Sequence, residues 1–156
     1  MRSGIGYDSH RFAPGGPMRL GGVDIPAEHH LVGHSDADVI CHAVTDALLG
    51  AAGLGDIGLL FPDSDPAHRG RDSIDMLRVA NDRLQAAGFR VVNVDVTVIA
   101  EHPKIGPHRE AIRQRLAEAL GGGPGQISVK GKTNEGMGWI GRGEGLACIA
   151  VAAIDG

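Results

Sequence analysis

From Leu146 through Ile154 the chain reads Leu-Ala-Cys-Ile-Ala-Val-Ala-Ala-Ile, without one polar residue. Successive side chains of a strand point to opposite faces. A strand apolar at every position must therefore be covered on both faces. Residues 1–10, 90–100 and 126–133 supply further strands, and only three segments have the character of helices. Three helices can cover one face of a four-stranded sheet but hardly two. The class expected is α/β of the α+β-like kind, a four-stranded mixed sheet with helices on one face. The other face is expected to meet further copies of the chain, as a homo-oligomer. An arginine at Ala150, inside the apolar run, should then dissociate it or prevent folding.

The remaining elements follow from local chemistry. Residues 17–26 form a hairpin turning at Gly21-Gly22. Ser35 is the expected N-cap of the first helix, with Asp36 and Asp38 in its first turn, where carboxylates favour the positive helix end. That helix runs to about Ala52 and buries Val39, Ala43 and Ala47. Residues 53–71, rich in Gly, Pro and Asp, read as a long functional loop. A second helix starts near Asp72, places Ile74, Leu77 and Leu84 on one side and ends at Gly88. Val92, Val94, Val96 and Val98 alternate with Asn93, Asp95, Thr97 and Ile99, a strand. The third helix follows Pro107, carries Ile112, Leu116 and Leu120, and stops at Gly121-Gly122-Gly123. No repeat or linker interrupts residues 1–156, so one domain is expected.

Composition narrows the function. Net charge is −4 and no Lys/Arg block occurs, which argues against nucleic-acid or anionic-membrane binding. Cys41 and Cys148 are too few for a disulfide framework and lie in apolar stretches, as buried small hydrophobes do. Neither a leader-like run nor a membrane-length apolar run is present, and a cytoplasmic location, or an organelle interior after processing, is expected. There are 25 glycines against three Phe, one Tyr and one Trp, a chain that packs through small side chains and builds sites from backbone.

Two motifs mislead. Gly136-Met137-Gly138-Trp139-Ile140-Gly141 is a literal GxGxxG, but the dinucleotide fingerprint needs a helix directly after it and an acidic residue about 20 positions on. Here a strand follows and the chain soon ends. Gly131-Lys132-Thr133 resembles the end of a phosphate-binding P-loop, yet the leading glycine would have to stand at Gln126.

The chemistry lies elsewhere. Asp8 and His10, two apart at a strand end, point to one side of the backbone. With His42 from the first helix they make one carboxylate and two imidazoles. This three-ligand set leaves a coordination position open, the pattern of catalytic zinc. On their own, an Asp-x-His at a strand end is also an ordinary polar surface, and a histidine in an Ala/Val helix is also an ordinary hydrogen-bonded core group. Asp46, one turn from His42, is placed either to orient its ring or to be solvated.

Wider context comes from Gly6-Tyr7-Asp8-Ser9-His10, His34-Ser35-Asp36-Ala37-Asp38, His42 to Gly50, Gly55-Asp56-Ile57-Gly58 and Phe61-Pro62-Asp63-Ser64-Asp65. Asn93-Val94-Asp95, Pro103-Lys104, Lys132-Thr133-Asn134-Glu135 and Gly141-Arg142-Gly143-Glu144-Gly145 add to it. In this order, over nearly the whole chain, they resemble the 2-C-methyl-D-erythritol 2,4-cyclodiphosphate synthase family. Ala37 stands where glycine is frequent and Ser64 where threonine is; neither departure removes a ligand or a charge.

The resemblance implies a reaction. 4-Diphosphocytidyl-2-C-methyl-D-erythritol 2-phosphate closes to a cyclic diphosphate and releases CMP, in the non-mevalonate route to isoprenoids. It also implies roles. Asp8, His10 and His42 hold zinc or another divalent ion, and Glu135 holds magnesium or manganese bridging the diphosphate. His34 and Thr133 steady the developing charge, and Ser35 meets a phosphate. Asp56, Ile57, Gly58, Phe61, Pro62, Asp63, Ser64 and Asp65 line the pocket for the methylerythritol hydroxyls. Ala100, Pro103, Lys104, Ile105 and Gly106 form a cytidine cradle, and Lys132 and Asn134 are also substrate-binding residues. Trp139 and Arg142 belong to the active site or to a channel on a threefold axis. The resemblance further implies a homotrimer with active sites between subunits, and a central cavity that takes isoprenoid diphosphates, with Arg142 and Glu144 nearby. The rival chemistry for the same ligands is a zinc-dependent nucleotide phosphodiesterase using metal-bound water; a non-catalytic nucleotide- or isoprenoid-binding module is the rival outside catalysis.

Overall fold

A long first strand, β1 (Arg2–Pro14), organises the computed structural model of residues 1–156. After it come β2 (Met18–Leu20), β3 (Val23–Ile25), β4 (His29–Val32), α1 (Val39–Ala52) and a single turn, α2 (Ile57–Leu60). The chain continues through α3 (Ser73–Ala86), β5 (Arg90–Ile99), α4 (Arg109–Leu120), β6 (Ile127–Lys132), the turn α5 (Gly138–Gly141) and β7 (Gly145–Asp155). The sheet is mixed, in the order β4-β1-β7-β5-β6. Only the β5–β6 pair is parallel.

Five strands stand where four were expected. The fifth, β4, pairs with the far half of β1, Arg11–Pro14, and its His29-His30-Leu31-Val32 is too short to show alternation. The hairpin of β2 and β3 forms a separate two-stranded sheet. The 53–71 segment is less irregular than expected, since α2 lies inside it; Asp56 caps that turn by accepting from the Leu59 N–H at 2.8 Å. The alternation of β5 is broken at Val92, which sits at a bulge between Val91 and Asn93.

Even positions of β1 face the helices, and here the packing is backbone on backbone. A Cβ at Gly6 would overlap the Ala43 carbonyl oxygen, and one at Gly4 the Ala47 carbonyl oxygen. Glycines on the strand and alanines on α1 are therefore a matched set, and they bring the two elements closer than side chains would permit. α1 is buried on almost every side, between the sheet and α3. The exception is one stripe, His42, Asp46 and Gly50, at the spacing of a single helix face.

The first helix begins later than its sequence suggests. Ala37 takes a left-handed backbone conformation (φ 58°), which ends the preceding segment. Asp38, not Ser35, is the N-cap, and its buried carboxylate accepts from Cys41 N–H at 3.1 Å, Gly21 N–H at 2.8 Å and Gly22 N–H at 2.7 Å. It ties the β2–β3 turn to the helix start. Ser35 and Asp36 instead make local turns, accepting from Ala37 N–H and Asp38 N–H, respectively.

α4 protects the outer edge of β6. Arg109 Nε donates to the Val129 carbonyl at 2.9 Å and Arg113 Nε to the Ile127 carbonyl at 2.7 Å, so groups that could recruit another strand are occupied. Cys41 and Cys148 are free and buried, and burial pushes both thiols upward. No helix is long and apolar enough to cross a membrane.

The two faces of β7 differ. Leu146, Cys148, Ala150, Ala152 and Ile154 are sealed against the helices. On the other side Val151 and Ile149 are 43% and 36% exposed, and their cross-strand partners Ile5 and Tyr7 are 70% and 55% exposed. Ala150 thus probes the helix core rather than the second face, and the informative position is Val151. Such contiguous apolar area is unusual on a free surface. Val151→Arg is expected to lower the solution mass measured by light scattering; an unchanged mass would count against an interface here. Gly6→Ala, which drives a methyl group into helix backbone, should destabilise the chain by at least ~3 kcal/mol in denaturant titration, and wild-type stability would contradict the seam.

Candidate metal centre

Asp8 and His10 are consecutive even positions of β1, so both follow Gly4 and Gly6 onto the helix side of the sheet. His42 occupies the first unburied position of α1. The close strand–helix contact carries these three side chains together. Asp8 Oδ2 lies 2.8 Å from His10 Nε2 and 3.0 Å from His42 Nδ1, and the two nitrogens are 3.3 Å apart. The three form a cluster able to hold a metal ion. A tetrahedral ion with bonds near 2.05 Å separates its donors by about 3.3 Å, so a slight opening of this triangle accommodates one.

Each ring is held from behind. His10 Nδ1 donates to the Val32 carbonyl at 2.9 Å, which turns Nε2 toward Asp8. Gly33 makes room for that ring; a Cβ there would lie 2.9 Å from His10 Cε1. His42 Nε2 lies 2.8 Å from Ser73 Oγ and 3.0 Å from Ser35 Oγ. Burial raises the Asp8 carboxyl, but hydrogen bonds from His10 and His42 and their charge outweigh it and hold it at about 2. Burial likewise disfavours charge on His10, and the Asp8 carboxylate more than reverses this, raising the imidazole.

Asp46 takes a different job from the one expected. Its carboxylate accepts from the Ile57 N–H at 2.8 Å, anchoring α2 to α1, while the His42 ring turns to the two serines. Burial, only partly offset by that hydrogen bond, raises the Asp46 carboxyl.

The triad forms one wall of a cavity of about 260 Å³, shared with His34, Ser35, Ile57, Gly58, Phe61, Asp63, His68 and Met76. His34 Nε2 is buried there without a hydrogen-bond partner. Phe61 is gripped by the His68 ring, 5.4 Å away edge-on, and by the Arg71 guanidinium 4.7 Å from its centroid. Asp56, Pro62, Ser64 and Asp65 lie outside this lining. Asp56 and Asp65 cap local turns. Among cavity residues, His68 and Met76 were not anticipated; His68 carries no spacing signal, and Met76 reads as ordinary helix core.

The YgbB family model matches residues 1–155. The chain belongs to the YgbB family. It is 68% identical over 154 residues to a 2-C-methyl-D-erythritol 2,4-cyclodiphosphate synthase of Gemmatimonas aurantiaca, covering 99% of this chain and 93% of that one. It is 56% identical to the enzyme of the same name from Symbiobacterium thermophilum, covering 100% and 99%. A solved 2C-methyl-D-erythritol-2,4-cyclodiphosphate synthase in its CDP-bound form superposes with a TM-score of 0.90 at 40% identity, covering 99% of this chain and 100% of that one.

In this YgbB-family chain the remaining candidate residues gather elsewhere. Ala100, Pro103, Lys104, Ile105, Gly106, Lys132 and Thr133 line a second cavity of about 220 Å³, with Arg109 and Gly131. It lies where β5 and β6 end, and β6 is three strand spacings, about 14 Å, from β1. Glu135 follows in a left-handed conformation (φ 53°), its N–H directed at Thr133 Oγ1. Glu101 Oε1 holds that loop by accepting from the Asn134 and Gly136 N–H groups at 3.0 and 3.1 Å. Glu101 was not anticipated, because a lone glutamate after a strand carries no motif. Trp139 is 38% exposed and borders Ser9, His10, Arg11 and Glu144. Arg142 is paired with Glu144 at 2.8 Å in solvent, outside both cavities. The GxGxxG segment contributes only the single turn α5 before β7, without the helix a dinucleotide site requires.

His42→Ala is expected to abolish stoichiometric zinc uptake measured by plasma emission spectroscopy after dialysis. The Asp46→Asn chain should retain the metal. Full zinc content in the His42 variant would remove the imidazole from the ligand set.

Proposed function

We propose that residues 1–156 act as one catalytic domain, a cytoplasmic 2-C-methyl-D-erythritol 2,4-cyclodiphosphate synthase and a CMP-releasing phosphorus–oxygen lyase. One observation carries this reading: donors from a strand and from a helix distant in sequence converge on the wall of a cavity that also holds a buried imidazole nitrogen without a partner, in a chain whose residues 1–155 match the family. The substrate is 4-diphosphocytidyl-2-C-methyl-D-erythritol 2-phosphate. An oxygen of its 2-phosphate bonds to the β-phosphorus, and the bond from that phosphorus to the bridging oxygen breaks, so CMP departs with the bridging oxygen.

A phosphate monoester has a second pKa near ~6, so the nucleophile is largely dianionic at neutral pH. No protein base is needed, and the triad contains none to spare. The barrier lies in bringing two anions together, which positioned cations and donors relieve. Asp8 Oδ2, His10 Nε2 and His42 Nδ1 would hold zinc or another divalent ion and Glu135 magnesium or manganese, supplying Lewis-acid stabilisation of phosphate oxygens. His34 offers its free Nε2 to the same cavity, and Ser35 stands beside it. Gly58, Ile57, Phe61 and Asp63 exclude water from the methylerythritol end, with Asp56, Pro62, Ser64 and Asp65 at its rim. Thr133, Lys132 and Asn134 serve the diphosphate, and the Ala100–Gly106 segment with Lys104 takes the cytidine.

Two half-sites so far apart within one chain are naturally completed by a neighbour. We assign the bare face around Ile5, Tyr7, Ile149 and Val151 to a homotrimer, with each active site built from two subunits. Arg142 and Trp139 then lie toward the threefold axis, where a central cavity could take an isoprenoid diphosphate.

Incubation with the cytidine diphosphate substrate, followed by phosphorus NMR, is expected to yield CMP and cyclic diphosphate in equal amounts and to stop on chelation. In ¹⁸O-labelled water neither product should gain label. Label entering phosphate would instead establish hydrolysis, the nucleotide phosphodiesterase alternative.

A further inference from the structure

The contacts behind His42 carry more than support. Ser73 is the first residue of α3 and is fully buried, so no water competes for its hydroxyl. Its Oγ touches two groups from different elements, donating to the Asp36 carboxylate oxygen Oδ1 and lying 2.8 Å from His42 Nε2. Asp36 also accepts from the Ser73 N–H at 2.9 Å, and Arg19 Nε stands 3.5 Å from its Oδ2. That guanidinium and the first turn of α3 both place positive charge beside the carboxylate.

A hydroxyl has one proton to give, and a carboxylate can only accept. The Ser73 proton is therefore directed at Asp36, and the lone pairs of Ser73 Oγ are left to face His42. Nε2 must then carry hydrogen, and in the neutral ring that binds a metal the Nδ1 lone pair is free toward Asp8 and His10. We propose that Asp36 and Ser73 form a positioning relay that sets the tautomer and donor strength of His42 as a metal ligand. Negative charge passed through Ser73 to the Nε2–H side makes Nδ1 a stronger donor, as carboxylates behind metal-bound imidazoles do. The segment before α1, α1 itself and the start of α3 are joined at one ring. Ser35 Oγ, at 3.0 Å from the same nitrogen, has no carboxylate behind it among its contacts and is the weaker acceptor.

The inference rests on the assignment of Asp8, His10 and His42 as the metal site, and the test separates the two. Zinc affinity of the full-length protein is measured by competition with a chromophoric chelator for wild type, Ser73→Ala, Asp36→Asn and Ser35→Ala. Loss of the relay should weaken zinc binding about 10- to 100-fold in Ser73→Ala and Asp36→Asn, and less in Ser35→Ala. In proton NMR of the zinc form, the exchange-protected His42 Nε2–H resonance should be present in wild type and lost or broadened in the first two variants. This signature reports on the ring itself and is not moved by a general loss of packing. Should Ser73→Ala fail to fold, Asp36→Asn carries both measurements. Wild-type affinity and resonance in Asp36→Asn would overturn the relay, as would an equal loss in all three variants. A wild-type protein that binds no zinc would overturn the metal site itself, and the relay with it.

Discussion

The contact between the backbone of β1 and the backbone of α1 is the constraint from which the rest of this molecule follows. Gly4 and Gly6 have no Cβ because the Ala47 and Ala43 carbonyl oxygens stand where one would be. Interiors pack at crystal density, so such a seam fixes separation and rotation together. Sliding β1 by one residue would turn its glycines outward and drive Ile5 and Tyr7 into the helix. With register fixed, Asp8 and His10 arrive at the height of His42 with no further device. The ligand set is a consequence of how a strand lies on a helix.

Around this seam the charges are arranged as anions held by few cations. Asp38 is buried with backbone N–H groups as its only donors, and burial raises its carboxyl against their pull. Asp36 sits on the start of α3, and Asp8 between two imidazoles. Leaving any of these carboxylates without its donors would cost far more than an exposed ion pair contributes. The site is thus held by polar contacts as well as by the packing of the seam beside it. Both suit a reaction whose difficulty is the placement of phosphates.

Much of this was visible in the residues alone. Alternation in β5, the apolar run of β7 and the hairpin at Gly21-Gly22 all declare themselves through spacing and residue type; Asp8, His10 and His42 were candidates by residue type, singled out by the resemblance to a family. The helix start did not. Ser35 has every property of an N-cap, yet Ala37 adopts a left-handed conformation and passes that role to Asp38, an event set by the tie to Gly21 and Gly22. Asp46 misled for a similar reason, since one turn from His42 is the right spacing to support its ring. The partner that lies there is Ser73, brought by tertiary folding from α3. β4 was missed because four residues without alternation carry no period. The close approach of Gly4 and Gly6 to α1 is legible only once the helix is placed, although the wealth of glycine and poverty of aromatics already pointed to packing of that kind.

One strand carries two programmes on its two faces. Gly4, Gly6, Asp8 and His10 point toward α1 and assemble the triad; Ile5 and Tyr7 point away, opposite Val151 and Ile149. Since alternation is strict, the register that aligns the ligands also aligns the bare apolar face. Trp139 and Arg11 border His10 from that outer side. Association at this face and geometry at the triad therefore act on the same backbone, only a residue or two apart. A subunit packed there would press on the strand that holds Asp8 and His10, so assembly at this face would bear directly on the geometry of the triad.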